Sequence, residues 1–163
     1  IFATYSGAHF NPIVSLLFFF KRELSSKDLI IYIVIQCIAA ILGTMFANFL
    51  FGLNVIEISS NIRSGHNIYI SETFATFGLL MVIMLSRADG KNIVAFNVGI
   101  YICAALIFTS STSFANPAVT ISRMLTESFT GIHPSTILLF IGSQVIGLGI
   151  AYKVYKQVFE KKS

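Results

Sequence analysis

Two short runs carry the residue types in this sequence that could do chemistry in an apolar setting. They are Asn11-Pro12-Ile13, within SGAHFNPIVS, and Asn116-Pro117-Ala118, within TSFANPAVT. Asn is a favoured helix N-cap, and Pro at the next position is pre-set for the first helical turn because its missing N–H needs no partner there. Each run therefore predicts a helix that begins abruptly, at Pro12 and at Pro117, inside an apolar region. A helix end at membrane depth bares backbone groups, which is tolerated only where they are buried in protein or line a watery cavity. The chemistry implied is hydrogen bonding along a transport path. Enzyme chemistry is not implied: the sequence shows no nucleophile–base pair, metal-ligand cluster or phosphate loop, and it calls for no metal or other cofactor. Cys37 and Cys103 have no framework or metal spacing and read as small core-packing residues.

The two runs are copies. HFNPIVS aligns with FANPAVT, keeping Asn-Pro, then Val, then a hydroxyl residue in register. Further along, YIVIQCIAAILG aligns with FIGSQVIGLGIA, which pairs Gln36 with Gln144. An internal duplication accounts for both matches.

The elements that must position these runs are membrane helices. The 163 residues are 55% hydrophobic and 11% charged, with a mean hydropathy of +0.81; soluble domains carry about 25% charged residues. Full spans are predicted over 29–53, 68–86, 93–110 and 135–152. Half-spans are predicted over 12–20 and 117–125; nine residues reach roughly 13 Å, about half a hydrocarbon layer. Gly142, Gly147 and Gly149 are expected to allow close helix contact, and Gln36 and Asn48 to face protein rather than lipid. Gln36 reads as structural glue for the loop before the first half-helix. Glu72 is a carboxylate within a span, and two roles compete for it: proton carriage, or accepting N–H groups of a re-entrant loop. His9 reads as a loop residue bonded to neighbouring backbone, and His66 and His133 as loop residues without a chemical role.

Charge sets the topology. With the tail at 153–163 inside and each half-helix returning to its own side, Lys21, Arg22, Lys27, Arg87, Lys91, Lys153, Lys156, Lys161 and Lys162 lie inside, and Arg63 and Arg123 outside. That asymmetry follows the positive-inside rule. The tail then reads as a solvated cytoplasmic flank rather than a nucleic-acid site. In this arrangement the half-helices enter from opposite sides and their N-termini meet near the midplane. Each presents about half an elementary positive charge there, which opposes cation entry. Asn11 and Asn116 would donate into the lumen, while Gly7-Ala8-His9 and Thr112-Ser113-Phe114 would offer backbone carbonyls as acceptors.

The paired motifs, together with ETFATFGLL from Glu72, resemble the major intrinsic protein family, the aquaporins and glycerol facilitators. The resemblance covers nearly the whole chain. It implies an all-α membrane fold, an aquaporin-like inverted repeat with four full helices and two re-entrant half-helices. A single channel domain would comprise a remainder of the first repeat (1–53) and a second repeat (67–158). It favours Glu72 as a buttress, with Gln36 and Gln144 in supporting roles, and implies a plasma-membrane homotetramer that passes water and small neutral solutes. Departures from the family pattern bear on selectivity. Ile13 replaces Ala in the first motif, and Val119 stands where most members place a filter Arg. Alignment puts Ala104 and Ser113 at two further filter positions. A filter that is small and lacks Arg implies passage of glycerol, urea or undissociated metalloid acids, and TSSTSFANPAVT is similar to a bacterial branch associated with arsenic resistance. By the repeat, about one and a half helices are expected upstream of residue 1, which leaves a non-conducting fragment as one alternative reading. An ion-coupled transporter using Glu72 is the other.

Overall fold

The computed structural model describes residues 1–160, and among them every regular element is helical. The helices are α1 (Ala3–Ser6), α2 (Pro12–Phe20), α3 (Ser26–Leu50), α4 (His66–Ser86), α5 (Lys91–Phe108), α6 (Pro117–Ser122) and α7 (Ile137–Val158). Short 3-10 turns follow α4, extend α6 over Arg123–Leu125 and lead into α7 over Pro134–Thr136.

The local causes are readable in the sequence. Asn11 and Asn116 hold extended backbones, and each side chain accepts the N–H two residues on, at 3.0 Å in both copies. Ser25 caps α3 by accepting from Asp28 N–H, and the Asp28 carboxylate sits in the positive first turn. Arg22, at φ 60°, turns the chain out of α2. The first half-helix has its expected nine residues. The second is a six-residue α-helix that tightens into the 3-10 turn Arg123–Leu125.

Three helices among the described residues are long and apolar enough to cross a membrane: Ser26–Leu50, His66–Ser86 and the Pro134–Val158 run. The fourth expected span is shorter, with an apolar stretch over Asn92–Phe108. The last helix continues to Val158, so Lys153 and Lys156 ride on it rather than on a separate tail. Lys161 and Lys162 lie outside the described residues.

Packing interleaves the two halves. α4 packs most extensively on α7, while α3, from the first repeat, packs on α6 of the second. The α2 half-helix wedges against α3 and α7 and touches α6. Leu17, Leu80, Phe140 and Leu148 are fully or almost fully buried at these junctions. Cys103, expected in the core, is exposed on α5, and Cys37 is half-buried.

Polar contacts gather at two ends. At one end Arg87 makes two hydrogen bonds to Glu23, at 2.8 and 2.7 Å, and Lys21 lies 3.7 Å from Glu160. The Arg87 guanidinium holds the Glu23 carboxyl below the ordinary carboxylate range. At the other end Ser59 N–H donates to Met124 O, His133 N–H to Asn61 O, and the Asn48 amide to Leu125 O.

Of the three glycines expected at helix contacts, one serves that role. A Cβ on Gly147 would lie 2.6 Å from the Thr73 carbonyl and 3.2 Å from Phe77 N, both backbone atoms of α4; Gly142 and Gly149 face open space. Gly147→Ala is expected to destabilise the fold by about 2 kcal/mol through overpacking. Gly149→Ala should be neutral or stabilising by up to about 1 kcal/mol, since Ala is the better helix former. Thermal unfolding of the two variants in detergent checks the contrast.

Candidate functional site: a paired helix-end junction

The two Asn-Pro corners meet. Asn11 Nδ2 donates to Ala115 O at 2.7 Å, and Asn116 Nδ2 donates to Phe10 O at 2.9 Å. Each Asn thus uses its oxygen to cap its own helix and its amide to hold the residue preceding the opposite Asn. The contact joins positions more than a hundred residues apart by a near-twofold exchange, and it brings the N-termini of α2 and α6 together.

The approach loops have one backbone pattern. Four, three and one residues before each Asn the chain takes positive φ: Gly7 (68°), Ala8 (49°) and Phe10 (47°), against Thr112 (59°), Ser113 (46°) and Ala115 (45°). Five of these six are not glycine, so each loop carries conformational strain of order 1–3 kcal/mol per such residue, which persists only when surrounding bonds enforce it. Among the described residues no protein donor reaches the carbonyls of Gly7, Ala8, His9, Thr112, Ser113 or Phe114.

The enforcing bonds differ between the copies. Glu72, fully buried on α4, accepts from Phe114 N–H at 3.2 Å and from Ala115 N–H at 2.6 Å. Gln144 Nε2 on α7 donates to the same carboxylate at 2.7 Å and to Thr120 Oγ1 at 2.9 Å. In the first copy Gln36 Nε2 on α3 donates to Ser15 Oγ at 3.0 Å, and His9 Nδ1 lies 3.1 Å from that hydroxyl. Gln36 therefore grips the half-helix itself rather than the loop before it. His9 bonds a side chain, not the neighbouring backbone, and stacks on Phe18 with ring centroids 4.5 Å apart. Ser15 and Thr120 are the in-register hydroxyls of HFNPIVS and FANPAVT, so the duplication extends to the Gln–hydroxyl bond. His133 has a local role: its ring accepts Ser135 N–H and caps the turn into α7.

A cavity of about 490 Å³ runs from Arg87, at the end of α4, to the Asn pair; Gly7, His9, Asn11, Val98 and Asn116 line it. The three residues aligned to filter positions are not on its wall. Ser113 is buried, and among the described residues its hydroxyl has no hydrogen-bond partner. Val119 is half-buried on α6, and Ala104 is exposed in a shallow groove with Cys103 and Ile107. The reason for Ala104 is helical phase: Val94, Ala95, Val98 and Ile102 turn toward the cavity, and position 104 lies about 200° around the helix from position 102.

Sequence reasoning missed one prominent residue. Arg63, from the α3–α4 connection, is buried and donates to Gly131 O, Phe129 O, Ser111 O and Thr112 Oγ1. A single Arg in a polar loop carries no signal that it will turn inward.

Two half-helices joined end to end within a bundle of membrane-length helices define a class: polytopic membrane proteins with a broken-helix path. The family profile described as Major intrinsic protein matches residues 1–113. Among curated proteins the chain is 41% identical over 142 residues to "Aquaglyceroporin AqpS" of Rhizobium meliloti (strain 1021), covering 87% of this chain and 61% of that protein. It is 27% identical over 170 residues to "Aquaporin-4" of Notomys alexis and 27% over 173 residues to that of Homo sapiens, covering 97% of this chain and 51% of each relative. The chain belongs to the major intrinsic protein family, whose members are integral membrane channels rather than enzymes. It spans about half to three-fifths of the length of these relatives.

Glu72→Ala would leave two loop N–H groups, that of Ala115 buried and that of Phe114 half-buried, without an acceptor, at up to about 1–3 kcal/mol each. The variant is expected to unfold at lower temperature in detergent than Glu72→Gln, whose amide oxygen still accepts. Equal unfolding temperatures for the two would contradict the buttress role.

Proposed function

We propose that this chain provides a passive path for water and small neutral solutes across the plasma membrane, with the C-terminus on the cytoplasmic side and a homotetramer as the assembly. The reciprocal Asn11–Ala115 and Asn116–Phe10 exchange carries this reading. It fixes two helix N-termini against one another, so that their positive ends oppose cation entry while uncharged molecules pass. The unbonded carbonyls of the two approach loops supply acceptors for a solute O–H, and the apolar wall of Val14, Leu79 and Val98 completes the cavity.

The aquaglyceroporin name of the R. meliloti relative favours glycerol among the solutes, and Val119 in place of a filter Arg favours molecules larger than water. Urea and undissociated metalloid acids fit the same chemistry. Glu72 works as a buttress: its carboxylate is occupied by three donors and fully buried, which disfavours proton carriage by an ion-coupled transporter.

Stopped-flow light scattering on proteoliposomes containing this chain tests the proposal with water, glycerol and arsenous acid in parallel. Flux of neutral solutes that ignores proton and sodium gradients is the expected result, and Val119→Arg should cut glycerol flux several-fold more than water flux. Flux no higher than in empty vesicles would overturn the channel reading. An equal loss for both solutes in Val119→Arg would overturn the filter assignment.

A further inference from the structure

Arg63 is the most heavily engaged cation in the described structure, and its place in the path is unassigned by the motifs. It is 7% exposed. Nε donates to Gly131 O at 2.8 Å and Nη2 to Phe129 O at 2.8 Å, while Nη1 donates to Ser111 O at 3.3 Å and Thr112 Oγ1 at 3.1 Å. Its guanidinium carbon stands 5.0 Å from the centre of the Phe114 ring. All five contacts involve uncharged groups, and among the described residues no carboxylate lies within ion-pair distance of Arg63. Glu72, which holds the same loop, and Arg123 are the charged groups whose fields act on it.

The loop that Arg63 grips is the second approach loop, residues 111–115. Glu72 takes N–H groups from one part of it, and Arg63 takes a carbonyl and a hydroxyl from another. A full positive charge is thereby fixed against the loop that leads to Asn116, on the side away from the Arg87 end of the cavity. Position 119 supplies no such charge.

We propose that Arg63 is a specificity-determining residue: it supplies, from the α3–α4 connection, the fixed positive charge at the outer approach to Asn116 that Val119 does not. The guanidinium is tied to the carbonyls of residues 111, 129 and 131 and to the Thr112 hydroxyl, so the charge is fixed in place and, on this assignment, repels cations without a bulky side chain at position 119. On this assignment a filter without Arg at position 119 still excludes protons and sodium. The inference rests on the channel reading above.

The test uses proteoliposomes of the whole chain, measuring sodium and proton leak with entrapped indicators and dividing it by glycerol flux in the same preparation. Arg63→Gln removes the charge but also the bonds. Thr112→Asp keeps Arg63 in place and neutralises it with a carboxylate at a position of φ 59°, a conformation Asp adopts more readily than most residues. Both variants are expected to raise the leak-to-glycerol ratio about tenfold, as loss of one fixed charge in a weakly screened site implies. Arg63→Lys should keep the ratio low, and adding Val119→Arg to Thr112→Asp should bring it back down. A purely structural clamp would lower both fluxes together or unfold the chain in Arg63→Gln while leaving Thr112→Asp unchanged, and that result overturns the proposal. Absence of glycerol flux in the unsubstituted chain would instead overturn the channel reading itself.

Discussion

The structure depends on two side-chain amides that each do two jobs. Asn11 and Asn116 cap their own helices with oxygen and reach across to the opposite corner with nitrogen, at 2.7 and 2.9 Å. No other residue type does both in this geometry without loss: Asp would cap but could not donate, and Ser is too short to span the junction. Proline at the following position removes the N–H that a helix beginning in the interior could least easily satisfy. Two helix ends buried at membrane depth would ordinarily be costly; here each Asn oxygen accepts an N–H of its own helix end, and each Asn amide donates to the carbonyl that precedes the other.

The rest of the bundle holds that junction under strain. Five non-glycine residues with positive φ flank the two Asn, and they are kept there by different means in the two halves. The second half uses a buried carboxylate shared with Gln144 and bonded through it to Thr120. The first half uses Gln36 and His9 around Ser15. A duplicated fold need not duplicate its buttresses, provided each corner is over-determined. The long helices supply the frame: α4 against α7 at Gly147, and α3 against α6, so that neither half-helix packs only within its own repeat.

Much of this was legible in the chain. The caps, the prolines, the hydroxyl in register and the paired glutamines are local or repeat signals, and they point to the α2 and α6 starts and to Gln144. What was not legible depends on side-chain direction across elements. Arg63 is one charge in a loop, and only the fold reveals four acceptors around it. Ala104 aligns with a filter position, yet helical phase turns it away from the described cavity. Gly142 and Gly149 look like Gly147 in sequence, and only the approach of α4 distinguishes them. The second half-helix was expected to be nine residues long, but its last turn tightens into a 3-10 conformation.

The measurement closest to the central claim is a distance in the membrane. With 15N in the Asn side-chain amides and 13C at the Ala115 and Phe10 carbonyls, rotational-echo solid-state NMR on the chain in lipid bilayers reads both N–C separations. An N–H···O bond of this length puts each nitrogen roughly 3.5–4 Å from the carbonyl carbon, so strong dephasing is expected at both pairs, and loss of it on Asn11→Ala at the Ala115 pair. Separations beyond about 6 Å at both pairs in the folded chain would contradict the reciprocal junction, and with it the account of how the path is built.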